Sequence, residues 1–174
     1  MGLDLYIEAR IFEKKTGRLI SSNPGEEFVD DEDKGFFEIC WWDSWCFRDV
    51  RAKMIDIASK YAETNYTDSD FVIPIPQSAL REIYACIINR SYLSDDEELE
   101  ILSGNIDWKI RGVYERMNLK NAEKLHDLLR ILNLIKYDNN SYIEKKYIPD
   151  TNDLKLLEEN PQAYGWEFRI LNSY

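Results

Sequence analysis

Histidine occurs once in the 174 residues, cysteine three times, glycine seven times and proline five. One histidine, His126, and no Cys-x-x-Cys pair leave no donor set for a structural zinc site. The odd thiols, Cys40, Cys46 and Cys86, are expected to be reduced in a cytoplasmic protein, with two of them on core positions. Cationic residues are the minority, 22 Lys and Arg against 33 Asp and Glu, for a net charge of -11. That balance works against direct contact with phosphate backbones and favours a basic partner or plain solubility. No segment approaches ~18 consecutive apolar residues, so no transmembrane helix is expected. The opening MGLDLYIEAR carries Asp4 and Glu8 where a secretory signal needs basic residues and an apolar run. Gly2 would fit myristoylation, but position 6 is Tyr where Ser or Thr is wanted. No internal repeat, low-complexity segment or linker interrupts the chain.

What is abundant is apolar and aromatic surface, 44% and 13% of residues, enough for a globular core. A chain of this size buries about 70% of its unfolded surface, so one domain spanning 1–174 is expected. The organising stretch is Gly35 to Ala62. Strict alternation there places Phe37, Ile39 and Trp41 on one strand face and Phe36, Glu38, Cys40 and Trp42 on the other. Asp43 is placed to cap a following helix with Cys46, Val50, Met54, Ile57 and Tyr61 inward and Arg48, Lys53, Asp56 and Lys60 outward.

Leu3 to Ile11 alternates as a half-buried strand, with Asp4, Tyr6, Glu8 and Arg10 on its polar side. Glu13 to Asp33 reads as loop, with turns at Thr16-Gly17 and Asn23-Pro24-Gly25. Phe71 to Ile75 is a short extended segment, and Ser78 is placed to cap a helix with Leu80, Ile83, Tyr84, Ile87 and Ile88 inward. Ile106 to Met117 fits strand or helix, with helix preferred, and Asn118 is expected to precede a separate helix over 119–135. Tyr142 to Ile148 fits a strand, Thr151 a helix cap, and Tyr164 to Leu171 a final strand. The expected fold is therefore α+β: a small, mainly antiparallel sheet from the chain ends and the 36–42 strand, packed on one face by several amphipathic helices.

Candidate chemistry rests on carboxylates. Asp4, Glu8 and Glu38 would share one sheet face if the first two strands pair in register, and three such groups could hold Mg²⁺ or Mn²⁺ for phosphodiester hydrolysis. The bland alternative is the wet side of an edge strand. His126 lies off the apolar stripe of its helix, beside Glu123 and Arg130, as a solvated histidine would. Trp41, Trp42 and Trp45 suit a core better than a base-stacking platform, because no basic groove accompanies them. Lys109, Arg111, Arg116, Lys120, Lys124, Arg130 and Lys136 make the middle of the chain locally basic, which suits a pairing face. Two acidic runs stand out: Glu26, Glu27, Asp30, Asp31, Glu32 and Asp33, then Asp95, Asp96, Glu97, Glu98 and Glu100. They could imitate a phosphate ladder toward a basic protein, or serve solubility alone.

MGLDLY at 1–6 resembles the Met-Gly-Leu-Asp-Met-Tyr opening of a group of small phage, prophage and bacterial proteins without an established function. Glu38-Ile39-Cys40-Trp41-Trp42 is similar to that group's Glu-Ile-x-Tyr-Trp segment, although Asp43-Ser44 replaces its usual Arg-Lys. The group's aromatic-x-Ser-Ser-Trp ending is matched only loosely, by Asn172-Ser173-Tyr174. The resemblance implies a phage or prophage origin rather than an activity; by analogy with small acidic phage proteins, the chain is expected to be an accessory factor acting inside a host cell by protein-protein contact. By analogy, its partner would be a basic nucleic-acid-handling protein such as a CRISPR-type defence effector. A metal-dependent hydrolase and a structural or assembly subunit are the competing expectations. No cofactor is expected for the binding reading.

Overall fold

A computed structural model describes residues 4–23, 25–42, 48–62, 71–89, 108–134 and 145–173. Four strands and four helices carry the architecture among these residues: β1 (Asp4–Glu13), β2 (Phe37–Trp42), α1 (Arg48–Ser59), β3 (Phe71–Ile75), α2 (Gln77–Ile88), α3 (Trp108–Leu134), α4 (Thr151–Glu159) and β4 (Tyr164–Ser173). The fold is α+β. Its sheet runs β2-β1-β4-β3 with every neighbour antiparallel.

β1 and β4, the strands nearest the two ends of the chain, form the middle pair, in unbroken register from Asp4 opposite Ser173 to Glu13 opposite Tyr164. β1 is therefore an interior strand, flanked by β2 on its other side. Its alternation sorts residues as the period of two demands: Leu5, Ile7, Ala9 and Ile11 are at most 1% exposed, and Asp4, Tyr6, Glu8 and Arg10 are half-buried. The helices cover the apolar side. α2 lies between α1 and α3, α3 reaches β2, and α1 reaches β3. Leu80, Ile83, Leu125, Leu128 and Met54 are fully buried, each stabilising the fold by about 1.5–3 kcal/mol.

β2 departs from strict alternation. Ile7 pairs with Cys40 while Glu8 pairs with Glu38, so the β2 strand carries one extra residue, a bulge at Ile39. The bulge shifts the phase. Phe37 and Ile39 face the core, but so do Cys40 and Trp42, while Glu38 is exposed and Trp41 half-buried. The assignment of Trp41 to the Phe37 side and of Cys40 and Trp42 to the Glu38 side is corrected accordingly.

α3 is one helix of 27 residues, so Asn118 lies inside it and is no boundary. Asn118 and Asn121 are 4% and 2% exposed, because they service the edge strand. Trp42 Nε1 donates to Asn118 Oδ1 at 2.9 Å, and Asn121 Nδ2 donates to the Trp41 carbonyl at 2.9 Å. An outward-facing carbonyl of β2 is thus satisfied by a side chain rather than left open to another chain.

Three other boundaries shift. α2 begins at Gln77 with Pro76 at its N-cap, where Ser78 was expected, and α4 is capped by Asp150, whose side chain accepts from the Asn152 amide at 2.7 Å. Lys145–Tyr147 forms a 3₁₀ turn where part of a strand was expected. Asp43, Trp45 and Cys46 lie outside the described residues.

Candidate functional site

The side of the sheet away from the helices is a cross-strand array of charge. Glu8 of β1 stands opposite Arg169 of β4 on one side and Glu38 of β2 on the other, and Arg10 stands opposite Glu167. Arg169 Nε donates to Glu8 Oε2 at 2.7 Å and Arg10 Nε to Glu167 Oε2 at 2.5 Å. The two cross-strand pairs have reversed polarity, so each cation meets an acid and neither guanidinium faces the other. Arg169 is only 9% exposed.

Across this array lies the segment following β1. β1 ends in a turn with Gly17 at φ 72°, and the chain returns beside it, the Ile20 amide donating to the Ile11 carbonyl. The acidic run then folds over the sheet. Arg169 Nη1 donates to Asp33 Oδ1 at 2.5 Å, and Arg10 Nη1 donates to the carbonyls of Glu32 and Lys34 at 3.1 and 3.3 Å. Phe36, 5% exposed, has both guanidiniums over its ring, Arg169 at 3.8 Å and Arg10 at 4.5 Å from the centroid. Gly35 closes the strap: its φ of 80° suits glycine alone, and its amide donates to Glu26 Oε1 at 2.5 Å. Ser21 Oγ donates to the Gly35 carbonyl at 2.6 Å from beneath.

The structure therefore divides the first acidic run in two. Glu26 and Asp33 turn inward as fasteners. Glu27, Asp30, Asp31 and Glu32 face water, with Asp31 tied to Lys34 at 2.5 Å, a contact that lowers the Asp31 carboxyl below its ordinary value. Between them the Phe28 side chain is 88% exposed. The second run, Asp95, Asp96, Glu97, Glu98 and Glu100, lies outside the described residues.

The three carboxylates singled out for metal binding do share this face, and Glu8 and Glu38 are direct cross-strand partners. Glu8 is ion-paired to Arg169, and Asp4 stands about 13 Å along the same strand. Asp4 Oδ2 accepts from Trp41 Nε1 at 3.2 Å and Tyr6 OH at 3.4 Å. Burial, then the Asp4 charge, raises the Tyr6 hydroxyl above its ordinary value and keeps it a donor. Among the described residues no group of three or more His, Cys, Asp or Glu is arranged to hold a metal ion.

Of the tryptophans, Trp42 is core at 1% exposure, Trp41 lies on the charged face, and Trp45 is outside the described residues. His126 is exposed, its Nδ1 3.8 Å from Asp127 Oδ1 and its ring 6.0 Å from that of Tyr84. Along α3, Arg116, Lys120 and Arg130 are exposed and Lys124 is half-buried. Arg10, Arg169, Glu167 and Phe36 organise the face without having been singled out as site residues. The signal was present as opposite charge alternation on the polar sides of the first and last strands. Burial pushes the Cys40 thiol far above its ordinary value and makes it inert. No helix among the described residues is long and apolar enough to cross a membrane. No family model, curated protein or solved structure matches the chain.

Proposed function

We propose that the protein acts by binding a basic protein through the strapped acidic loop, as an accessory factor by analogy with small acidic phage proteins. One observation carries this reading: the loop is fastened at Glu26 and Asp33 and clamped through Phe36, while Glu27, Phe28, Asp30, Asp31 and Glu32 are turned to solvent. A loop ordered before binding loses little conformational freedom on docking, and clustered carboxylates speed encounter with a Lys- and Arg-lined groove. A nucleic-acid channel of a host enzyme, such as a CRISPR-type effector, has that chemistry.

The test is capture of partners from a bacterial host lysate by the tagged protein at low and high salt, alongside the E27K/D30K/D31K/E32K variant. These four positions leave the fasteners Glu26 and Asp33 intact. A basic protein retained stoichiometrically at low salt, released at high salt, and bound at least about tenfold more weakly by the variant supports the reading. Equal retention by the folded variant, or no basic partner, overturns it.

A further inference from the structure

A cleft of about 490 Å³ opens on the other side of the molecule, where β3 stops. Ile75 is the last β3 residue paired, opposite Phe168, so among the described residues the outer edge of β4 from Tyr164 to Glu167 has no strand beside it. The chain turns away there through Pro76 into α2, and the notch is closed below by Leu157 of α4 and Leu132 of α3. Its volume is that of a small-molecule site, and its walls are largely apolar and aromatic.

Three polar features line it. Lys14 lines the cleft and makes no ion pair among the described residues, although Glu13 beside it is paired. Tyr164 lines it too, at 4% exposure, and its hydroxyl makes no hydrogen bond among the described residues. A ligand oxygen in the cleft would give that hydroxyl an acceptor. Desolvation first, and then the charges of Asp153 and Glu13, raise this phenol above its ordinary value, so it is a donor. The third feature is the start of α2, where no side chain caps the helix and Pro76 and Gln77 line the cleft. Nearby Asp153 and Glu13 are both bonded to Arg18, with contacts of 2.7 and 2.9 Å to Asp153 and 3.4 Å to Glu13, so the local acids are already answered.

We infer that this cleft binds a small organic anion, a carboxylate on an aromatic or branched apolar body, with Lys14 and Tyr164 holding the carboxylate and Leu132, Leu157 and Trp166 the body. The chemistry is independent of the acidic loop. The molecule's net negative charge slows the approach of an anion, but beyond about 8 Å that repulsion is screened at physiological salt.

The probes are 3-phenylpropionate and its neutral amide, titrated at physiological salt into the full-length protein and into K14M, Y164F and L157W, with binding followed by NMR shifts of the tryptophan indole N–H signals. Wild type is expected to bind the acid at least about tenfold more tightly than the amide. K14M should erase that preference, Y164F should weaken the acid about three- to tenfold, and L157W, which fills the cleft, should abolish both. Circular dichroism and thermal melting confirm that each variant is folded; a variant that is not is replaced by K14A, L157F or Tyr164→Leu at the same position. Failure to bind either probe at about 10 mM, equal affinity for acid and amide, or undiminished binding to the folded filled-cleft variant overturns the assignment.

Discussion

Replacing Arg169 with Met tests whether the charged face holds the strap. The substitution keeps the aliphatic stem and removes the guanidinium from three partners. Glu8, with a side chain 16% exposed, loses its cation while still facing Glu38 across the strand pair. A buried carboxylate stripped of its partner costs about 3–5 kcal/mol in a closed interior, and about 2–3 is reasonable at a face that retains some water. The contact with Asp33, whose side chain is 47% exposed, is screened and adds at most about 0.5–1 kcal/mol. Loss of the closer of two cations on Phe36 adds a similar amount. The expected total is about 3–5 kcal/mol, a large share of the ~5–15 kcal/mol stability of a natural domain, and a fall in Tm of roughly 6–20 °C. Urea unfolding measures it, and hydrogen exchange over 25–36 should show the strap losing protection first. Glu8→Gln in the R169M background removes the stranded charge and should restore about 1–2 kcal/mol. A loss below about 1 kcal/mol, or strict additivity of the two substitutions, would refute the ion-pair argument.

Two further perturbations read other parts of the fold. Cys40 has a folded pKa raised far above its ordinary 9.0 by burial, so its contribution is complete below pH 9 and is lost as pH rises toward the folded value. The stability difference between wild type and Cys40→Ala should accordingly narrow by about 1.5 kcal/mol between about pH 9 and 10.5 in urea titrations, and a constant difference would refute it. Gly165→Ala would drive a methyl group into the Phe12 ring, whose nearest atom lies 2.3 Å from the position of that carbon, and should cost about 1–3 kcal/mol in denaturant. Phe12→Leu in the same chain should recover part of that loss; no recovery would place the strain elsewhere.

The architecture was legible because β1 and β4 alternate cleanly and the helical stripes of α2 and α3 are regular. The combination of strands at the two chain ends with a central aromatic strand was enough to anticipate the sheet. Local rules failed where tertiary contacts decide. The bulge at Ile39 reverses the facing of Cys40 and Trp42, and no residue type announces it, since it exists only relative to β1. Asn118 resembles a helix boundary by composition, yet it sits inside α3 because Trp42, 76 positions away, needs its carbonyl oxygen. The acidic run looked uniformly solvated from its charge density. Asp33 differs from Asp31 only because Arg169, 136 residues on, reaches it. The notch beside Tyr164 depends on where β3 stops, and that register is invisible along the chain.

The central pairing of β1 with β4 has a consequence for biosynthesis. Residues 4–13 wait for residues 164–173, so β1 leaves the ribosome long before its main neighbour does. Closing so long a loop is entropically unfavourable, and pairings of such long range slow folding. Until then β2 is the strand among the described residues that β1 can pair with, as an unfinished ribbon whose apolar side is open to water and to other nascent chains. A ribosome stalled before residue 164 would hold that exposed intermediate, and its demand for chaperones should fall sharply once β4 emerges.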